Sequence, residues 1–277
     1  VKKTDLKRAL NVINVEIFGQ TKKINIAVFG HGLVGGTLIN QVLSSAKNIE
    51  SRKGINLNIF AIANSTKLVI NKSGIKENWK EEIANEGVTY NVQDIIKYAK
   101  ENHLENLIAV DNTASSGFVE NYLTLIENGF DVVSSNKIAN TLSYGFYKEI
   151  RQVLQDNQKN YLYETNVGAG LPLIDTIKLL HLSGENITKI KGVFSGTLSY
   201  IFNHFSVEDK LFSEVLKEAI ALGFTEPDPR EDLCGNDVAR KLLILARELD
   251  LQNEFNEIEI QNLIPIELRS LTTSNFL

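Results

Sequence analysis

The residues best suited to chemistry lie in a charged segment that runs from Gly223 to Lys241. Two prolines flank carboxylates in this segment. Because proline restricts φ and disfavours helix in the residue before it, Glu226 and Asp228 are expected on rigid, extended backbone. Such carboxylates, if they converge with Lys241, can bind a substrate ammonium group and move a proton. The alternative is a solvated loop whose charges pair with one another.

The end of this segment is predicted to form an amphipathic helix that starts at Asn236, a residue type favoured at helix N-caps. Asp237 and Lys241 lie four residues apart on it, so both heads can point in one direction. Apolar residues recur beside them at helical spacing and would bury one stripe of the helix: Val238, Leu242, Leu245 and Leu249.

A second chemical signal is a glycine-rich turn near the N-terminus. Residues 24–30 read as a buried strand, and they lead directly into a G-x-G-x-x-G pattern and a predicted helix. Glycines at such a turn let the backbone approach a pyrophosphate, whose charge is stabilised by amides at the helix N-terminus. We predict a dinucleotide site with contacts from Gly30, Gly32, Leu33, Val34 and Gly35, and we interpret His31 as a loop residue. The alternative is a purely structural turn.

The end of the second strand, residues 57–63, bears on the choice of nucleotide. An acidic residue at this place would hold the ribose 2′-hydroxyl of NAD, but Asn64 stands there and no carboxylate follows it closely. Without that charge a 2′-phosphate is not repelled, and Lys67 or Arg52 could attract it. The pattern favours NADP over NAD. The alternative is that Lys67 is merely solvated.

Strands and helices then alternate, which is typical of βαβ units and a parallel sheet. Ligands of such sheets bind beyond the carboxyl ends of the strands. Thr113 follows the predicted strand at 106–112. Lys137 lies in the loop that ends the strand-and-loop segment 130–137. Both residues therefore join Asn64 as predicted cofactor contacts. The same position distinguishes Lys137 from an ordinary surface lysine.

The pattern becomes irregular after Glu164. A glycine-rich turn leads into a predicted helix at 172–182, and predicted strands at 187–196 and 257–265 are mixed with further helices. We therefore predict an α/β protein with three parts: a lead-in at 1–20 with a helix over 5–18, a Rossmann-type nucleotide-binding domain at 21–163, and an α+β substrate and dimerisation domain with a mixed sheet at 164–277.

Composition narrows the class of protein. The chain of 277 residues is 43% hydrophobic and carries a net charge of −5, which argues against nucleic acid as a partner. No apolar run is long enough to span a bilayer, and the first residues do not form a signal peptide. The single cysteine, Cys234, excludes an internal disulfide framework and fits a cytoplasmic location.

Six motifs carry a resemblance to homoserine dehydrogenases: GHGLVGGTL, ANSTK, SSNKIAN, ETNVGAGLP, GVFSGTLSYIFN and GFTEPDPREDLCGNDVARKLLILARELD. They span nearly the whole chain. Two further stretches, ALNVINVEIFGQTKKIN and GIKENWKEEI, are similar to the dehydrogenase half of bifunctional aspartokinase–homoserine dehydrogenases. The resemblance implies reversible NAD(P)-dependent conversion of L-homoserine to L-aspartate 4-semialdehyde. It further implies a homo-oligomer, a dimer or tetramer, with a covalently linked aspartokinase.

The resemblance also assigns roles. Lys241 is expected to protonate the carbonyl oxygen as hydride reaches the carbon, with Lys137 sharing the polarisation. Glu226 and Asp237 are expected to bind the substrate, with Asp232 nearby, and Gly223 to lie against the cofactor.

A monovalent cation, Na⁺, is implied by the same resemblance. Its expected ligands are the Glu164 carboxylate and the carbonyls of Val167, Ala169 and Leu171. The alternative for this turn is a structural hinge without an ion.

This chain departs from the family pattern in that Phe224 stands where tyrosine is frequent, and family members continue beyond Leu277. Three other readings stay open: another NAD(P)-dependent dehydrogenase of a small amino-acid-derived aldehyde, a thioester-forming dehydrogenase that uses Cys234, and a non-catalytic nucleotide-sensing module. A catalytic thiol needs a base within hydrogen-bond reach, and no histidine lies near Cys234 in sequence.

Overall fold

The computed structural model describes residues 21–226 and 228–276. The lead-in helix predicted at 5–18 lies outside these residues. The chain divides into two compact units. The first comprises the described residues up to Ala139 together with Lys148–Tyr163, and the second comprises Asn140–Tyr147 together with the described residues from Glu164 onward. The domain ranges predicted from the sequence stay predictions.

The first unit is built on one six-stranded sheet with the order β3-β2-β1-β4-β5-β6. All neighbouring strands are parallel except the pair β2–β3, which is antiparallel. The strands are β1 (Lys22–Phe29), β2 (Ile55–Ala63), β3 (Leu68–Ile70), β4 (Leu107–Asp111), β5 (Phe130–Ser134) and β6 (Tyr161–Leu162). The strand order reverses between β1 and β4, and a ligand crevice opens at that point in sheets of this type.

Helices cover both faces of this sheet, which explains why its central strands are apolar on both sides. On β1, Ala27 and Phe29 belong to one hydrophobic cluster while Ile26 and Val28 belong to another. Successive side chains of a strand point to opposite faces, so the two clusters lie on the two sides of the sheet. The helices are α1 (Leu33–Lys53), α2 (Trp79–Asn85), α3 (Val92–Glu101), α4 (Ser116–Val119), α5 (Tyr122–Glu127) and α6 (Tyr144–Asn157).

The described residues of the second unit form helices and irregular segments. The helices are α7 (Thr165–Gly168), α8 (Leu173–Leu182), α9 (Gly196–Val207), α10 (Phe212–Ala221), α11 (Arg230–Leu233), α12 (Asn236–Arg247) and α13 (Thr273–Phe276), with short 3₁₀ turns at Phe255–Glu257 and Ile266–Leu268. A further 3₁₀ turn, Ile138–Asn140, lies at the sequence boundary of the two units. The strands predicted at 187–196 and 257–265 are wrong, because neither segment is assigned to a strand. Their alternating pattern suits a strand, but a strand forms only where a hydrogen-bonding neighbour is present.

The helix α12 also differs from its predicted form. Its N-cap is Gly235 at φ +82°, not Asn236. A Cβ at Gly235 would lie 2.9 Å from Ile260 Cγ2, so glycine suits this position. The buried face runs through Ala239, Leu243, Ile244, Leu245 and Arg247, whereas the predicted stripe residue Leu242 is 40% exposed. The face includes an arginine, which a count of apolar residues cannot anticipate.

Candidate nucleotide and catalytic sites

The glycine turn after β1 is fixed by close backbone contacts. Gly30 has φ +83°, and a Cβ on it would lie 2.9 Å from the carbonyl carbon and oxygen of Asn112. A Cβ on Gly35 would lie 1.9 Å from the Gly30 carbonyl oxygen. Glycine is therefore required at both positions, because any side chain would push the turn away from β4 or from α1.

The N-terminus of α1 is open to a ligand. Gly32 occupies the N-cap position without any side-chain cap, and nothing lies within 4 Å of the place a Cβ would take. Leu33 and Val34, in the first turn, are 89% and 57% exposed. Unpaired amides at a helix N-terminus bind anions such as phosphate, so the turn fits a nucleotide pyrophosphate.

A cavity of about 630 Å³ lies beside this turn, within the first unit. Four predicted cofactor contacts line it: Gly30, Gly32, Asn64 and Thr113. The predicted contacts Leu33, Val34, Gly35 and Lys137 are not among its lining residues. The sequence interpretation missed several others, which come from the end of β1, from loops and from short helices: Phe29, His31, Ser65, Tyr90, Asn91, Val92, Ser115, Phe118 and Asn121. These carry no local pattern beyond the general rule that loops at the carboxyl edge of the sheet bind ligands.

Asn64 organises the end of β2. Its Oδ1 accepts hydrogen bonds from the backbone N–H groups of Thr66 and Lys67 at 2.8 and 2.7 Å. Its Nδ2 lies 3.1 Å from His31 Nε2, so the histidine ties the glycine turn to this loop. The Tyr90 hydroxyl donates to the Asn64 carbonyl at 2.9 Å, and burial raises the pKa of Tyr90. The loop is thus ordered around an amide where an NAD site would carry a carboxylate.

The two cations considered for a 2′-phosphate lie in different places. Lys67 follows Asn64 directly, and its Nζ donates to the Ala84 carbonyl at 2.5 Å. Arg52 lies in the last turn of α1, about 29 Å along the helix from Leu33 at 1.5 Å per residue. The prediction for Arg52 is therefore wrong, because the helix carries it to the opposite end from the glycine turn.

A buried polar cluster fixes the loops that follow β4 and β5. The Asp111 carboxylate is 1% exposed, and burial raises its pKa. It accepts hydrogen bonds from the Thr113 backbone N–H at 2.7 Å, the Tyr122 hydroxyl at 2.7 Å and Asn136 Nδ2 at 3.1 Å. Because Asn136 precedes Lys137, the cluster holds the half-buried lysine at the carboxyl end of β5.

In the second unit, the amine of Lys241 lies in a defined polar environment. Its Nζ lies 2.8 Å from Asp237 Oδ2, one helical turn away on α12, and donates to the Phe194 carbonyl at 2.6 Å. The Lys241 side chain is only 15% exposed, whereas that of Asp237 is 46% exposed. The carboxylate thus has a solvent-facing edge that can meet a ligand while it holds the ammonium group.

The other predicted substrate residues lie in the turn before α12. The backbone N–H of Glu226 donates to Asp232 Oδ2 at 2.8 Å, and the Glu226 residue itself is exposed. Asp228 pairs instead with Arg230 and with the Thr273 hydroxyl, and the Arg230 guanidinium lowers the pKa of Asp228. Asp228 therefore stabilises the turn.

Gly223 ends helix α10. It has φ +73°, its N–H donates to the Ile220 carbonyl, and the Phe224 N–H donates to the Ala219 carbonyl. This pair of bonds is a Schellman motif, which glycine favours because of its left-handed backbone. The structure thus gives Gly223 a local reason for its identity, and a contact with the cofactor stays a prediction.

The turn predicted to bind a cation is occupied by hydrogen bonds of its own. Both carboxylate oxygens of Glu164 accept backbone N–H groups at the start of α8, from Ile174 at 2.8 Å and Asp175 at 2.9 Å. The Leu171 carbonyl accepts from the Leu173 N–H at 2.8 Å. An ion would have to share these oxygens. Among residues 21–226 and 228–276, no three His, Cys, Asp or Glu side chains lie where they could hold a metal.

A six-stranded, mostly parallel sheet with this strand order, a glycine turn and a cavity at its carboxyl edge defines a dinucleotide-binding protein with a second, helical unit. Residues 30–164 match the NAD binding domain of homoserine dehydrogenase, and residues 172–275 match homoserine dehydrogenase itself. The chain belongs to the homoserine dehydrogenase family.

Curated relatives agree with this assignment. The chain is 42% identical over 266 residues to the bifunctional aspartokinase/homoserine dehydrogenase of Buchnera aphidicola, and the match covers 96% of this chain and 32% of that protein. It is 39% identical over 276 residues to the chloroplastic bifunctional aspartokinase/homoserine dehydrogenase 1 of Arabidopsis thaliana, with 99% and 30% covered. The chain spans about a third of the length of the curated relatives it matches.

Solved structures share the fold. A Candida auris protein of unknown function superposes with a TM-score of 0.81 at 32% identity, over 92% of this chain and 72% of that one. A hyperthermophilic archaeal homoserine dehydrogenase in complex with NADPH superposes with a TM-score of 0.67 at 27% identity, over 82% and 69%. No helix in the described part of the chain has the length and apolarity needed to cross a bilayer.

Proposed function

We propose that this chain catalyses the reversible NAD(P)H-dependent reduction of L-aspartate 4-semialdehyde to L-homoserine. The observation that carries the proposal is the Lys241 amine, which is largely buried and lies between the Asp237 carboxylate and the Phe194 carbonyl. An ammonium group held in this way can serve as a proton donor to a carbonyl oxygen. The family membership of the whole matched region supports the same reaction.

The two lysines are proposed to stabilise negative charge and to donate a proton. A nicotinamide cofactor, when bound, would supply hydride chemistry. As negative charge develops on the carbonyl oxygen, the Lys241 ammonium stabilises it and donates the proton, and Lys137 contributes a second positive charge. The hydrogen bond from Lys241 to the Phe194 carbonyl orients the amine, which reduces the rearrangement needed during the reaction.

Carboxylates are proposed to bind the substrate amino group. Glu226 and Asp237 have carboxylate oxygens that can bind an ammonium group. Asp232 positions Glu226, because the Asp232 carboxylate accepts a hydrogen bond from the Glu226 backbone N–H. Gly223 is proposed to lie against the cofactor. Phe224, at 49% exposure, offers an apolar surface and no hydroxyl.

NADP is proposed as the preferred cofactor. Support comes from Asn64, which stands where an NAD site would carry a carboxylate, and from the archaeal relative, whose structure contains NADPH. Lys67 is the proposed partner of the 2′-phosphate, and it would have to exchange its bond to Ala84 for one to the phosphate.

A monovalent cation at Glu164, Val167, Ala169 and Leu171 stays a prediction, and no step of the proposed reaction depends on it. Its support is the number of oxygen donors gathered in one turn. Activity measured in NaCl and in choline chloride of equal ionic strength tests it, because an ion-dependent site responds to sodium alone.

The wider setting is also proposed. The relatives combine homoserine dehydrogenase with aspartokinase, which supports a linked kinase for this protein. A homo-oligomer and a role in threonine, isoleucine and methionine biosynthesis are proposed on the same family basis. A cytoplasmic location is proposed because the sequence has a single cysteine, Cys234.

The test is a direct assay of the full chain. NADPH absorbance is followed with L-aspartate 4-semialdehyde, and the assay is repeated with NADH. Turnover with at least one nucleotide is expected, and NADPH should be the better substrate. Silence with both, from a preparation that binds NADPH, would favour a nucleotide-sensing module. Loss of turnover on thiol alkylation would instead favour a reaction through Cys234.

A further inference from the structure

Two arginines of α12 bind one short segment that lies far from them in sequence. Arg240 and Arg247 are seven residues apart, close to two helical turns, so they lie on the same side of the helix. Arg240 Nη1 donates to the Thr141 hydroxyl at 2.9 Å. Arg247 Nη1 donates to the carbonyls of Asn140 and Leu142, both at 2.9 Å. We call residues 140–147 the crossover segment, and all of these contacts lie within the second unit.

Arg247 is the more deeply buried of the two. Its side chain is fully enclosed, and its Nη2 donates to the Asn253 carbonyl at 3.0 Å and lies 3.3 Å from Glu254 Oε2. The planar guanidinium reaches several acceptors at fixed angles, which a lysine ammonium cannot reproduce.

The surroundings of Arg247 extend the same contact. Glu254 Oε1 accepts the Tyr144 backbone N–H at 2.8 Å, which caps the start of α6. The guanidinium carbon lies 5.7 Å from the Tyr144 ring centre and 5.1 Å from that of Tyr147. Charge, hydrogen bonds and aromatic faces thus join the crossover segment to the end of α12.

We call the contacts of Arg240 and Arg247 with the crossover segment the junction. The junction lies close in sequence to predicted catalytic residues. Asp237 and Lys241 lie on α12, and the crossover segment begins three residues after Lys137. We propose that Arg240 and Arg247 are positioning residues that fix the helix of Lys241 against the crossover segment. This inference rests on the proposed function, because it assumes that Lys241 acts in the reaction.

Stability alone does not account for a buried arginine. Replacing a buried ionic group with a well-packed apolar residue is often neutral or stabilising, so burial of charge is weak evidence for a stabilising role. What Arg247 supplies is geometry: three backbone carbonyls and one carboxylate are held at set positions by one planar group.

The test compares Arg240→Met, Arg247→Lys and Arg247→Met with wild type and with Lys217→Met, an exposed lysine outside the junction. Assays run well below each variant's Tm. We expect kcat to fall about tenfold or more in both Arg247 variants and less in Arg240→Met, because small displacements of catalytic groups have large effects. NADPH affinity should stay within twofold of wild type. An unchanged kcat alongside a lowered Tm would show a merely structural role and overturn the proposal.

A double-mutant cycle tests the contact between Arg240 and Thr141 separately. Thr141→Val removes the hydroxyl that Arg240 binds, so Arg240→Met combined with Thr141→Val should lower kcat no further than either change alone. Additive losses would contradict the assigned contact.

Amide hydrogen exchange provides a readout independent of turnover. Exchange at residues 142–147 should be faster in Arg247→Lys than in wild type, while exchange in β1 stays unchanged. If wild type is inactive yet these amides respond, the proposed reaction fails and the junction stands. If these amides do not respond, the junction itself is refuted.

Discussion

The two candidate functional regions of the chain are organised in opposite ways. At the glycine turn, backbone atoms contact backbone atoms, and a Cβ on Gly35 would lie 1.9 Å from a carbonyl oxygen. In the segment from Glu226 to Lys241, side chains contact one another, as the pairs Asp228–Arg230 and Asp237–Lys241 show. The first region depends on the absence of side chains and the second on their charges. Substitutions should therefore act through shape in the first and through charge in the second.

The largest effect is expected for Gly35→Ala. The added methyl group cannot fit against the Gly30 carbonyl, so the turn must move, and NADPH affinity should fall by about a hundredfold or more. Gly32→Ala is the matched control for folding, because nothing lies within 4 Å of its Cβ position. Fluorescence titration and thermal unfolding are measured for both variants. Gly35→Ala with wild-type affinity and Tm would contradict the steric description of the turn.

The next effect is expected for Lys241→Met. Removing the proton donor should lower kcat by about 10²–10⁴-fold and leave NADPH binding unchanged, since the glycine turn and the cavity beside it lie in the first unit. Lys137→Met should also lower kcat. The exposed Lys217→Met serves as the control for loss of a positive charge. Should NADPH affinity fall in parallel with kcat, the separation of the two regions by mechanism would be wrong.

A smaller effect is expected for Asn64→Asp, which tests whether charge can also matter at the turn. A carboxylate at the end of β2 repels a 2′-phosphate and accepts a hydrogen bond from a ribose 2′-hydroxyl. The preference for NADPH over NADH, measured as the ratio of their kcat/KM values, should therefore fall by about tenfold or more. Asn64→Ser is the control, because it shortens the side chain without adding charge. A ratio that is equal in the two variants would remove Asn64 as a determinant.

The smallest effect is expected for Asp228→Asn and concerns stability. Arg230 lowers the pKa of Asp228 in the folded protein, so this carboxylate stabilises the fold at pH values above its ordinary pKa near 3.8. The variant should unfold at a Tm roughly 1–3 °C lower at neutral pH. The difference should shrink as pH falls below about 4, because the carboxylate of the unfolded chain is then protonated while the pairing with Arg230 still keeps that of the folded protein ionised. A difference that is constant across this range would show that charge is not the cause.

Much of the first unit could be predicted from the sequence because its signals are local. The apolar run of β1, the glycine spacing and the helix that follows are contiguous, and steric exclusion at Gly30 and Gly35 acts between residues close along the chain or between neighbouring strands. The carboxyl ends of parallel strands meet at one edge, which is why Asn64 and Thr113 could be placed beside the turn. Tyr90 and Phe118 were missed because they line the same cavity from a loop and from a four-residue helix, and neither segment is long enough to show a periodic pattern.

The second unit was harder to predict because its contacts are distant in sequence. Alternating residues at 187–196 suggested a strand, yet strand formation depends on a neighbour that the pattern does not specify. Glu164 is predicted to bind a cation, and only the fold shows that its two oxygens also accept hydrogen bonds from the backbone amides of Ile174 and Asp175. Asp228 looked like a substrate ligand, but Arg230 and Thr273 bind it.

The sequence by itself determined the fold class, the glycine turn and the family, because short-range sterics and motif spacing are written in consecutive residues. Only the tertiary structure decided which charged groups are already paired with one another, and that Arg247, an apparent surface residue on its helix, is enclosed against the carbonyls of Asn140 and Leu142. The physical reason is that a hydrogen bond between residues about a hundred positions apart forms only when the tertiary fold brings them together, and no local sequence pattern specifies that contact.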